Sequence, residues 1–455
     1  MEMTLEQIAA ATSGTVRGGN PTVAGVSTDS RTVKAGNLFV ALDGENFDGH
    51  QFVAQALSGG AVAVMVNAAK AEGISAPLVA VADTRRGLGE LAAAWRGQFN
   101  LPLIAVTGSN GKTTVKEMLA AICRAASSEA AVLATEGNLN NDIGVPQMLF
   151  RLNAGHRYAV IEMGMNHPGE IAYLTGLAKP AVALVNNAQS AHLEGLGTVE
   201  AVARAKGEIF AGLSASGVAV INAEDAHAGL WRTLAGTRRV IDFGLEQGAV
   251  HCRYSLAPAG SAVTLITPAG EVEVKLPLAG LHNVRNALAA TAGALAMGIS
   301  LAHIVAGLEA CHGAKGRLQR KPGYSGMKII DDSYNANPGS VRAAIDVLAA
   351  QPDNRIMVLG DMGELGEQAE GMHAEIGKYA REKGIETLWT LGEMTRAAVD
   401  SFGAGGVHFG DLDALVEAVL ERADADLTVL VKGSRFMRME RVVERLTEKG
   451  ENTCC

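Results

Sequence analysis

A short apolar run that leads through a glycine-rich turn into a helix constrains the fold of this chain more than any other stretch. Residues 101–106 read LPLIAV, residues 107–112 read TGSNGK, and residues 113–126 have the apolar spacing of a helix. Because a strand, a tight turn and a helix in this order begin a βαβ unit, the stretch predicts a parallel sheet. Three further apolar runs of strand length lie at 158–163, 181–185 and 218–221. We therefore predict a mostly parallel, P-loop-type sheet in the middle of the chain.

The flanking parts of the chain predict two further α/β units. With 455 residues, the chain is about three times as long as one average domain of ~150 residues. The first hundred residues combine short apolar runs with Gly and Asp, and strands and helices alternate again after the middle region. We predict an α/β fold of three domains at 1–98, 99–315 and 316–455, the last one a Rossmann-like doubly wound sheet.

Two patterns in the middle domain differ from the βαβ alternation. Between residues 250 and 278, alternating apolar and polar residues around Pro-Ala-Gly predict an appended antiparallel hairpin. Residues 286–302 are rich in Ala but interrupted by Thr, Gly and Ser, which predicts a packed helix and no membrane span. The first residues lack the basic region of a secretory signal. We therefore expect a cytoplasmic protein without membrane insertion.

The charge and the cysteines exclude several classes of protein. A net charge of −9 gives no general attraction to nucleic acids or anionic membranes. Cysteines occur at five scattered positions without a Cys-x-x-Cys pair, so neither a zinc site nor a disulfide framework is predicted. They are Cys123, Cys252, Cys311, Cys454 and Cys455. We expect a monomer that acts on small molecules.

The turn after the first central strand has the composition of a phosphate-binding loop. Glycines allow backbone N–H groups to approach phosphate oxygens, Lys112 supplies a cation for the outer phosphates, and Thr113 offers a hydroxyl to Mg²⁺. Val106 occupies the position where the full P-loop pattern has its first glycine, and an ordinary glycine-rich turn is the alternative. The loop predicts a triphosphate site formed by Thr107, Gly108, Ser109, Asn110, Gly111, Lys112, Thr113 and Thr114.

Two residues at the predicted carboxyl edge of the sheet are candidate metal ligands. Glu162 ends the run YAVIEM, where open parallel sheets bind ligands, so it can hold a metal beside the phosphates. His192 lies in a loop after the next strand, where a neutral imidazole can ligate a metal. The alternatives are a capping or solvent-facing carboxylate and an ordinary loop histidine.

Lys206 is predicted to point into the protein. It lies in the apolar stripe of a helix formed by Val199, Val202, Ile209, Phe210 and Leu213. Desolvation lowers the pKa of such an amine, which can then act as a base, form a Schiff base, or take up CO₂ to become a carbamate. The alternative is a lysine that extends to solvent or pairs with Glu162 or Glu208.

Motifs along nearly the whole chain resemble the Mur ligases, which are ATP-dependent amino-acid-adding enzymes of peptidoglycan synthesis in the cell wall. Besides the phosphate loop, they are AHLEGLG, ARAKGEIF, LHNVRNALAA, GRLQ, DDSYNANP and VKGSR. Within the family, STDSR, GENFDGHQF, GNLNNDIGVP and GDMGELG resemble the member that adds D-alanyl-D-alanine to UDP-N-acetylmuramoyl-tripeptide. The Asp-Asn-Pro-Arg signature of the diaminopimelate-adding member is absent from the sequence.

The resemblance implies a mechanism and two cofactors, ATP and Mg²⁺. ATP would phosphorylate the terminal carboxylate of the tripeptide, and the amine of D-Ala-D-Ala would attack the acyl phosphate. By the resemblance, Thr113 and Glu162 bind one Mg²⁺, His192 and carbamylated Lys206 bind a second, and Lys112 balances the γ-phosphate.

The resemblance also implies binding residues in all three domains. Asn283 and Asn286 would lie near the adenine, Arg317 near the phosphates and Asp332 near the ribose. The UDP end would be bound by Ser27, Asp29, Ser30, Arg31, Asp48 and His50. The muramoyl group would pass Asn138, Asn140, Asn141 and Asp142, and the dipeptide would meet Asn335 and Asn337. Helix capping, turn formation and surface charge are the alternative roles of these residues.

Two other functions are compatible with parts of the sequence. A folylpolyglutamate-synthetase-like or other Mur-type ligase would share the phosphate loop and the lysine, but the first-domain motifs speak against it. A non-catalytic nucleotide switch would use the phosphate loop alone. The switch hypothesis explains neither an inward-pointing lysine nor a third domain. A ligase would release ADP only when both substrates are present, which distinguishes it from a switch.

Overall fold

The structure is a computed structural model that describes residues 1–44, 47–190 and 193–447. In these residues, three larger sheets with helices follow one another along the chain, and a small antiparallel sheet is appended to the second. The predicted α/β class with a parallel central sheet and a doubly wound C-terminal sheet is confirmed. No helix in the described ranges is both long and apolar enough to cross a membrane.

Within residues 1–44 and 47–98, the N-terminal sheet has five strands, of which only the first in spatial order pairs antiparallel. In spatial order they are Thr15–Arg17, Leu78–Val81, Ala63–Asn67, Asn37–Val40 and Gly25–Ser27. Two short strand pairs join Met3–Thr4 to Thr22–Val23 and Asp43–Gly44 to Phe47–Asp48. The accompanying α-helices are Leu5–Ala11, Val53–Ser58 and Thr84–Arg96.

The central sheet has six parallel strands among the described residues. Their spatial order is Val132–Ala134, Tyr158–Glu162, Leu103–Thr107, Val182–Val185, Val218–Asn222 and Arg239–Phe243. Its α-helices are Lys112–Ala125, Gly144–Leu149, Glu170–Ala178, Leu193–Leu196, Val199–Gly207, Ala228–Ala235, Leu281–Ala296 and Leu301–Glu309. The strand Leu103–Thr107 lies inside the sheet, so the phosphate loop begins at the middle of its carboxyl edge.

Two sequence predictions for this region were incomplete. The predicted hairpin is part of a three-stranded sheet, His251–Ala257, Gly260–Thr267 and Gly270–Leu276, whose first strand was missed because most of its side chains are exposed. The helix predicted at 286–302 is two helices, because the chain leaves the helical path at Gly298, where φ is +77°. Glycine adopts this left-handed conformation without the steric cost of a Cβ.

The C-terminal sheet also has six strands within the described part of the chain, and its first strand alone pairs antiparallel. Their spatial order is Gln319–Pro322, Lys328–Asp332, Leu427–Lys432, Asn354–Gly360, Thr387–Leu391 and Gly406–Phe409. Its α-helices are Pro338–Ala349, Ala369–Glu382, Arg396–Phe402, Leu412–Glu421 and Glu440–Leu446. The strand order places Lys432 directly beside Asp332.

The apolar cores join the first two sheets extensively and reach the third only at its margin, where Ala279 of the central domain packs, partly buried, against a C-terminal core. One core contains buried residues of both the N-terminal and the central sheet, including Met65 and Ile161. The other face of the central sheet packs on Leu281–Ala296 and on the small antiparallel sheet. Every buried residue in the two cores of the C-terminal sheet lies between 327 and 446. Polar contacts therefore carry much of the attachment of the C-terminal unit to the rest of the chain.

Candidate active site

A cavity of about 1010 Å³ lies between the carboxyl edge of the central sheet and the C-terminal unit. Its wall includes eight of the residues predicted to bind ATP: Asn110, Gly111, Thr113, Thr114, Asn283, Asn286, Arg317 and Asp332. The phosphate loop leads into the helix Lys112–Ala125, whose N-terminus offers unpaired backbone N–H groups to an anion. The volume and this polar end suit a nucleotide.

Contacts with the neighbouring segment 186–189 hold the phosphate loop in shape. The Ser109 hydroxyl accepts a hydrogen bond from the Gln189 backbone N–H at 2.9 Å, and the Asn110 N–H donates to Asn187 Oδ1 at 2.8 Å. The Thr107 hydroxyl donates to the Met163 carbonyl at 2.8 Å, so this side chain is engaged in the sheet. Sequence reasoning missed the segment, although a polar run directly after a predicted strand was a readable signal.

Lys112 folds back over its own loop. Its Nζ donates to the carbonyls of Gly108 at 2.6 Å and Ser109 at 3.2 Å. Burial lowers its pKa, while Glu162 and Glu364 act in the opposite direction and Arg317 adds to the lowering. The electrostatic environment of Lys112 therefore includes two carboxylates and an arginine from the central and C-terminal domains.

A chain of side-chain amides joins the helix Leu281–Ala296 to the phosphate loop. Asn286 Nδ2 donates to Asn283 Oδ1 at 3.2 Å, and Asn186 Nδ2 donates to Asn286 Oδ1 at 3.0 Å. Asn186 Nδ2 also donates to the Asn110 carbonyl at 2.9 Å, while Asn283 Nδ2 donates to the Ala279 carbonyl at 2.8 Å. The two predicted adenine residues therefore also fix the wall of the cavity.

We expect Gly111→Ala to damage the loop. Gly111 has φ +78°, and a Cβ there would lie 2.3 Å from Asn286 Oδ1 and 2.6 Å from Asn186 Nδ2. The left-handed backbone and the displaced amides should cost about 1–3 kcal/mol in the free energy of unfolding and weaken ATP binding. Urea denaturation and nucleotide titration measure the two effects.

Gly176→Ala is the matched control, because Gly176 is an exposed residue of the helix Glu170–Ala178 with no atom near an added Cβ. There alanine should stabilise the protein by up to about 1 kcal/mol. Equal effects of both substitutions would contradict the role of Gly111.

Lys206 is fully buried, as its helical position predicted. Its Nζ has no hydrogen-bond partner among the described residues, and burial together with the nearby Lys112 lowers its pKa well below the usual value. The alternative pairing with Glu208 does not occur, since that carboxylate accepts from the N–H groups of Gly169 and Ala172. The structure therefore presents a buried amine whose surroundings favour its neutral form.

Glu162 is a second buried group with an unsatisfied atom. Its Oε1 accepts from Asn140 Nδ2 at 2.8 Å, while Oε2 is buried without a hydrogen-bond partner in the part of the chain that the structure describes. Glu162 acts electrostatically on Lys112, and Lys112 acts on Lys206, so the three groups share one region. His192, the other predicted metal ligand, lies outside the described residues.

The C-terminal unit contributes a buried ion pair to the cavity wall. Lys432 Nζ lies 2.5 Å from Asp332 Oδ2 and also donates to the Asn335 carbonyl at 2.9 Å. Burial raises the pKa of Asp332 and lowers that of Lys432. The sequence motif VKGSR contained this lysine, but its pairing with Asp332 was missed.

Arginine stacking and a helix cap complete the C-terminal wall. The Arg317 guanidinium lies 4.4 Å from the centre of the Tyr334 ring, which orients it beside the cavity. Asn337, a predicted dipeptide residue, caps the helix Pro338–Ala349 and donates to Asn110 Oδ1 at 2.8 Å. Its carboxamide therefore links the C-terminal unit to the phosphate loop. Asn335 is exposed beside it.

The predicted UDP residues lie on the loops of the N-terminal sheet. Arg31 is an exposed side chain that pairs with Asp29 at 2.7 Å and lowers the pKa of that carboxyl to about 2. The Ser27 hydroxyl donates to the Asp29 carbonyl at 2.9 Å, and the Ser30 hydroxyl donates to Gln55 Oε1 at 3.2 Å. Turn formation, the alternative role, is thus present at Ser27 and Asp29.

Asp48 and His50 belong to a compact charged cluster. Lys70 Nζ lies 2.8 Å from Asp43 and 2.9 Å from Asp48, and its hydrogen bond is the main cause that lowers the pKa of Asp48. His50 Nε2 accepts from the Asn67 N–H at 2.9 Å, which leaves the proton on Nδ1, facing Asp48. A metal ion bound by this cluster would have to displace both the Lys70 ammonium and the proton on His50 Nδ1.

The four predicted muramoyl residues have different environments. Asp142 pairs with Arg85 at 2.5 Å, and Asn141 Oδ1 accepts from the Gly144 N–H at 2.8 Å at the start of a helix. Asn140 contacts Glu162, and Asn138 is exposed. Within the described part of the chain, Asn140 is therefore the member of this group that hydrogen-bonds a candidate metal ligand.

Comparisons with known proteins match the chain in three consecutive parts. The model "Mur ligase family, catalytic domain" matches residues 22–96, "Mur ligase middle domain" matches 106–294, and "Mur ligase, glutamate ligase domain" matches 316–435.

Among curated relatives, the UDP-N-acetylmuramoyl-tripeptide–D-alanyl-D-alanine ligase of Escherichia coli is 44% identical and covers 100% of both chains. That of Haemophilus influenzae is 45% identical over 94% of this chain and 95% of the relative. A crystal structure of MurF from Acinetobacter baumannii has a TM-score of 0.93 with 39% identity, covering 99% of each chain. MurF from Thermotoga maritima in complex with ADP has a TM-score of 0.82 with 28% identity over 92% and 96%. The chain belongs to the Mur ligase family.

Proposed function

We propose that this protein is an ATP-dependent ligase that joins D-alanyl-D-alanine to UDP-N-acetylmuramoyl-tripeptide through an acyl phosphate. The names of the relatives support it over the full length of the chain. The structural observation that carries it is the pair of buried, unsatisfied atoms, Glu162 Oε2 and Lys206 Nζ, in electrostatic contact with the phosphate-loop lysine. A nucleotide switch would not require these two buried polar atoms.

The donor set fits Mg²⁺ beside the phosphates. Carboxylate and hydroxyl oxygens are its preferred ligands, so Glu162 and Thr113 would hold one ion. The amine of Lys206, in its neutral form, would add CO₂ through a new N–C bond and release a proton, and the resulting carbamate oxygen would bind a second ion together with His192. When bound, Mg²⁺ would screen the negative charge of the phosphates and the acyl phosphate.

The chain's own residues would bind and orient the reactants. The phosphate loop and the N-terminus of Lys112–Ala125 would bind the phosphates of ATP, and Lys112 would leave its loop carbonyls to meet the γ-phosphate. Arg317, held by Tyr334, would add a second cation, and Asp332 would accept from the ribose. Closure of the cavity between the two units would exclude water from the acyl phosphate.

The substrate assignments follow the three-domain division, 1–98, 99–315 and 316–455, which the matched ranges support. We propose that the first domain binds the UDP end through the residues around Asp29 and Asp48. The second would receive the muramoyl peptide past Asn140, and the third would bind the dipeptide near Asn335. The proposal includes a cytoplasmic, monomeric enzyme, since ATP is a cytoplasmic substrate and one chain supplies every site.

Product formation with defined substrates tests the proposal. Purified protein, ATP and Mg²⁺ are incubated with UDP-muramoyl-tripeptides that carry diaminopimelate or lysine, with and without D-Ala-D-Ala. We expect ADP, phosphate and a UDP-linked pentapeptide, detected by mass spectrometry, only when both substrates are present. ATP hydrolysis that does not depend on either substrate would favour a nucleotide switch. In a parallel assay with a folate and glutamate, ligation of these two compounds would favour the other ligase class.

A further inference from the structure

The small antiparallel sheet of the central domain reaches the cavity with the tip of its first two strands. Pro258 and Ala259 form the turn between Ala257 and Gly260, and Leu256, Ala257 and Pro258 are part of the cavity wall. On the side of the C-terminal unit, the wall includes Ala343, Val347 and Ala350 in and after the helix Pro338–Ala349. The proposed mechanism assigns no role to this appended sheet.

The C-terminal unit binds the tip through one backbone carbonyl. Gln351 Nε2 donates to the Pro258 carbonyl at 3.2 Å, and Arg320 Nη2 donates to the same oxygen. Arg320 Nη2 also donates to Gln351 Oε1 at 3.0 Å, while Gln351 Nε2 donates to the Val347 carbonyl at 2.8 Å. Gln351 is 5% exposed, and its amide is fully used in this network.

These hydrogen bonds matter because the two units share little apolar contact. Among the described residues, the fully buried members of the C-terminal cores all lie in 327–446, and Ala279 of the central domain packs, partly buried, against one of them, so polar contacts must supply much of what positions the C-terminal sheet over the cavity. The Asn110–Asn337 contact does this at the phosphate end. The Pro258 contact is a second such link, and Pro258 itself lies in the cavity wall together with Ala349 and Ala350.

We propose that the tip of the appended sheet is a docking point that holds the C-terminal domain over bound ATP, with Arg320 and Gln351 as its positioning residues. The inference rests on the proposed function in that ATP is the ligand of the cavity. Neither side chain touches the reacting atoms. They act through the Pro258 carbonyl, which keeps the apolar tip facing the helix Pro338–Ala349.

Full-length Arg320→Ala, Gln351→Ala and the double variant test the proposal. Losing two or three hydrogen bonds should raise the KM for ATP about tenfold in the double variant and leave kcat within about twofold. The KM for UDP-tripeptide should stay unchanged. Arg320→Lys keeps a donor and should recover much of the ATP affinity.

Arg253→Ala is the matched control, because Arg253 is an exposed arginine of the same small sheet that pairs with Glu271. It should leave the KM for ATP unchanged. An unchanged KM for ATP in the double variant, or an equal rise for ATP and UDP-tripeptide, would overturn the docking role. If the double variant does not fold, the single variants decide by the same criteria.

Calorimetric titration with ADP separates this inference from the proposed function. Weaker ADP binding by the variants supports the docking point even if the wild-type protein forms no pentapeptide, which would refute the ligase. Normal ligation by the wild type with equal ADP affinity in all variants would refute the docking point alone.

Discussion

Replacing Lys206 by methionine should abolish ligation and at the same time stabilise the protein. The side chain is fully buried and its amine has no partner among the described residues, so methionine removes an uncompensated polar group and keeps the volume. The free energy of unfolding should rise by about 1–3 kcal/mol. Ligation should fall by at least about 10²-fold, because the buried amine is proposed to become a ligand that neutralises the developing charge. ATP binding should change little.

Lys116→Met is the matched control for this prediction. Lys116 is also buried, with 3% exposure, but it forms an ion pair with Glu117 on the helix Lys112–Ala125. Methionine there removes a satisfied interaction, so stability should fall and ligation should persist. Unimpaired ligation by Lys206→Met would exclude the proposed role of the amine, and a loss of stability would show that it has a partner.

The stability gain at Lys206 should depend on pH in a defined direction. Burial places the folded pKa of Lys206 well below that of the unfolded chain, which is about 10.4. Between these two values the unfolded chain binds more protons, so the stability of the wild type rises with pH across the window. Methionine lacks this titration. In CO₂-free buffer, the advantage of Lys206→Met should therefore shrink as the pH rises towards about 10.

The sequence predicted those features that depend on short-range periodicity. The inward position of Lys206 followed from a 3.6-residue stripe, and the phosphate loop followed from glycines between an apolar run and a helix. The edge strands Val132–Ala134 and Arg239–Phe243 were missed, since a three-residue strand and a strand with two charged residues give little apolar signal.

Contacts between distant segments were beyond prediction for a different reason. Lys432 meets Asp332 because their strands are neighbours in the sheet although 100 residues separate them, and sequence spacing does not contain strand order. Asn186 and Asn286 are likewise 100 residues apart. The contact of Arg320 with Pro258 uses a backbone carbonyl, which every residue possesses. Such contacts leave no pattern in a single sequence.

Removing one partner of the buried pair should damage stability far more than removing both. Lys432→Met would leave the Asp332 carboxylate buried and unpaired, at a cost of about 3–5 kcal/mol in the free energy of unfolding. Asp332→Asn would leave the Lys432 ammonium buried and unpaired in the same way. In the double variant both charges are absent, so more than half of this loss should be recovered. Urea denaturation of the four proteins gives the coupling energy directly.

In the double variant, nucleotide affinity should not recover although the free energy of unfolding does. This difference tests whether the pair has a role in nucleotide binding. The Asp332 carboxylate belongs to the cavity wall, so its loss should weaken ATP binding in both Asp332→Asn and the double variant, while UDP-tripeptide binding stays unchanged. Lys328→Met, on the same strand, breaks an ion pair with Asp353 in which the lysine is half exposed, and should cost less than about 1 kcal/mol. Recovery of ATP affinity together with stability would mean that the pair serves only the fold.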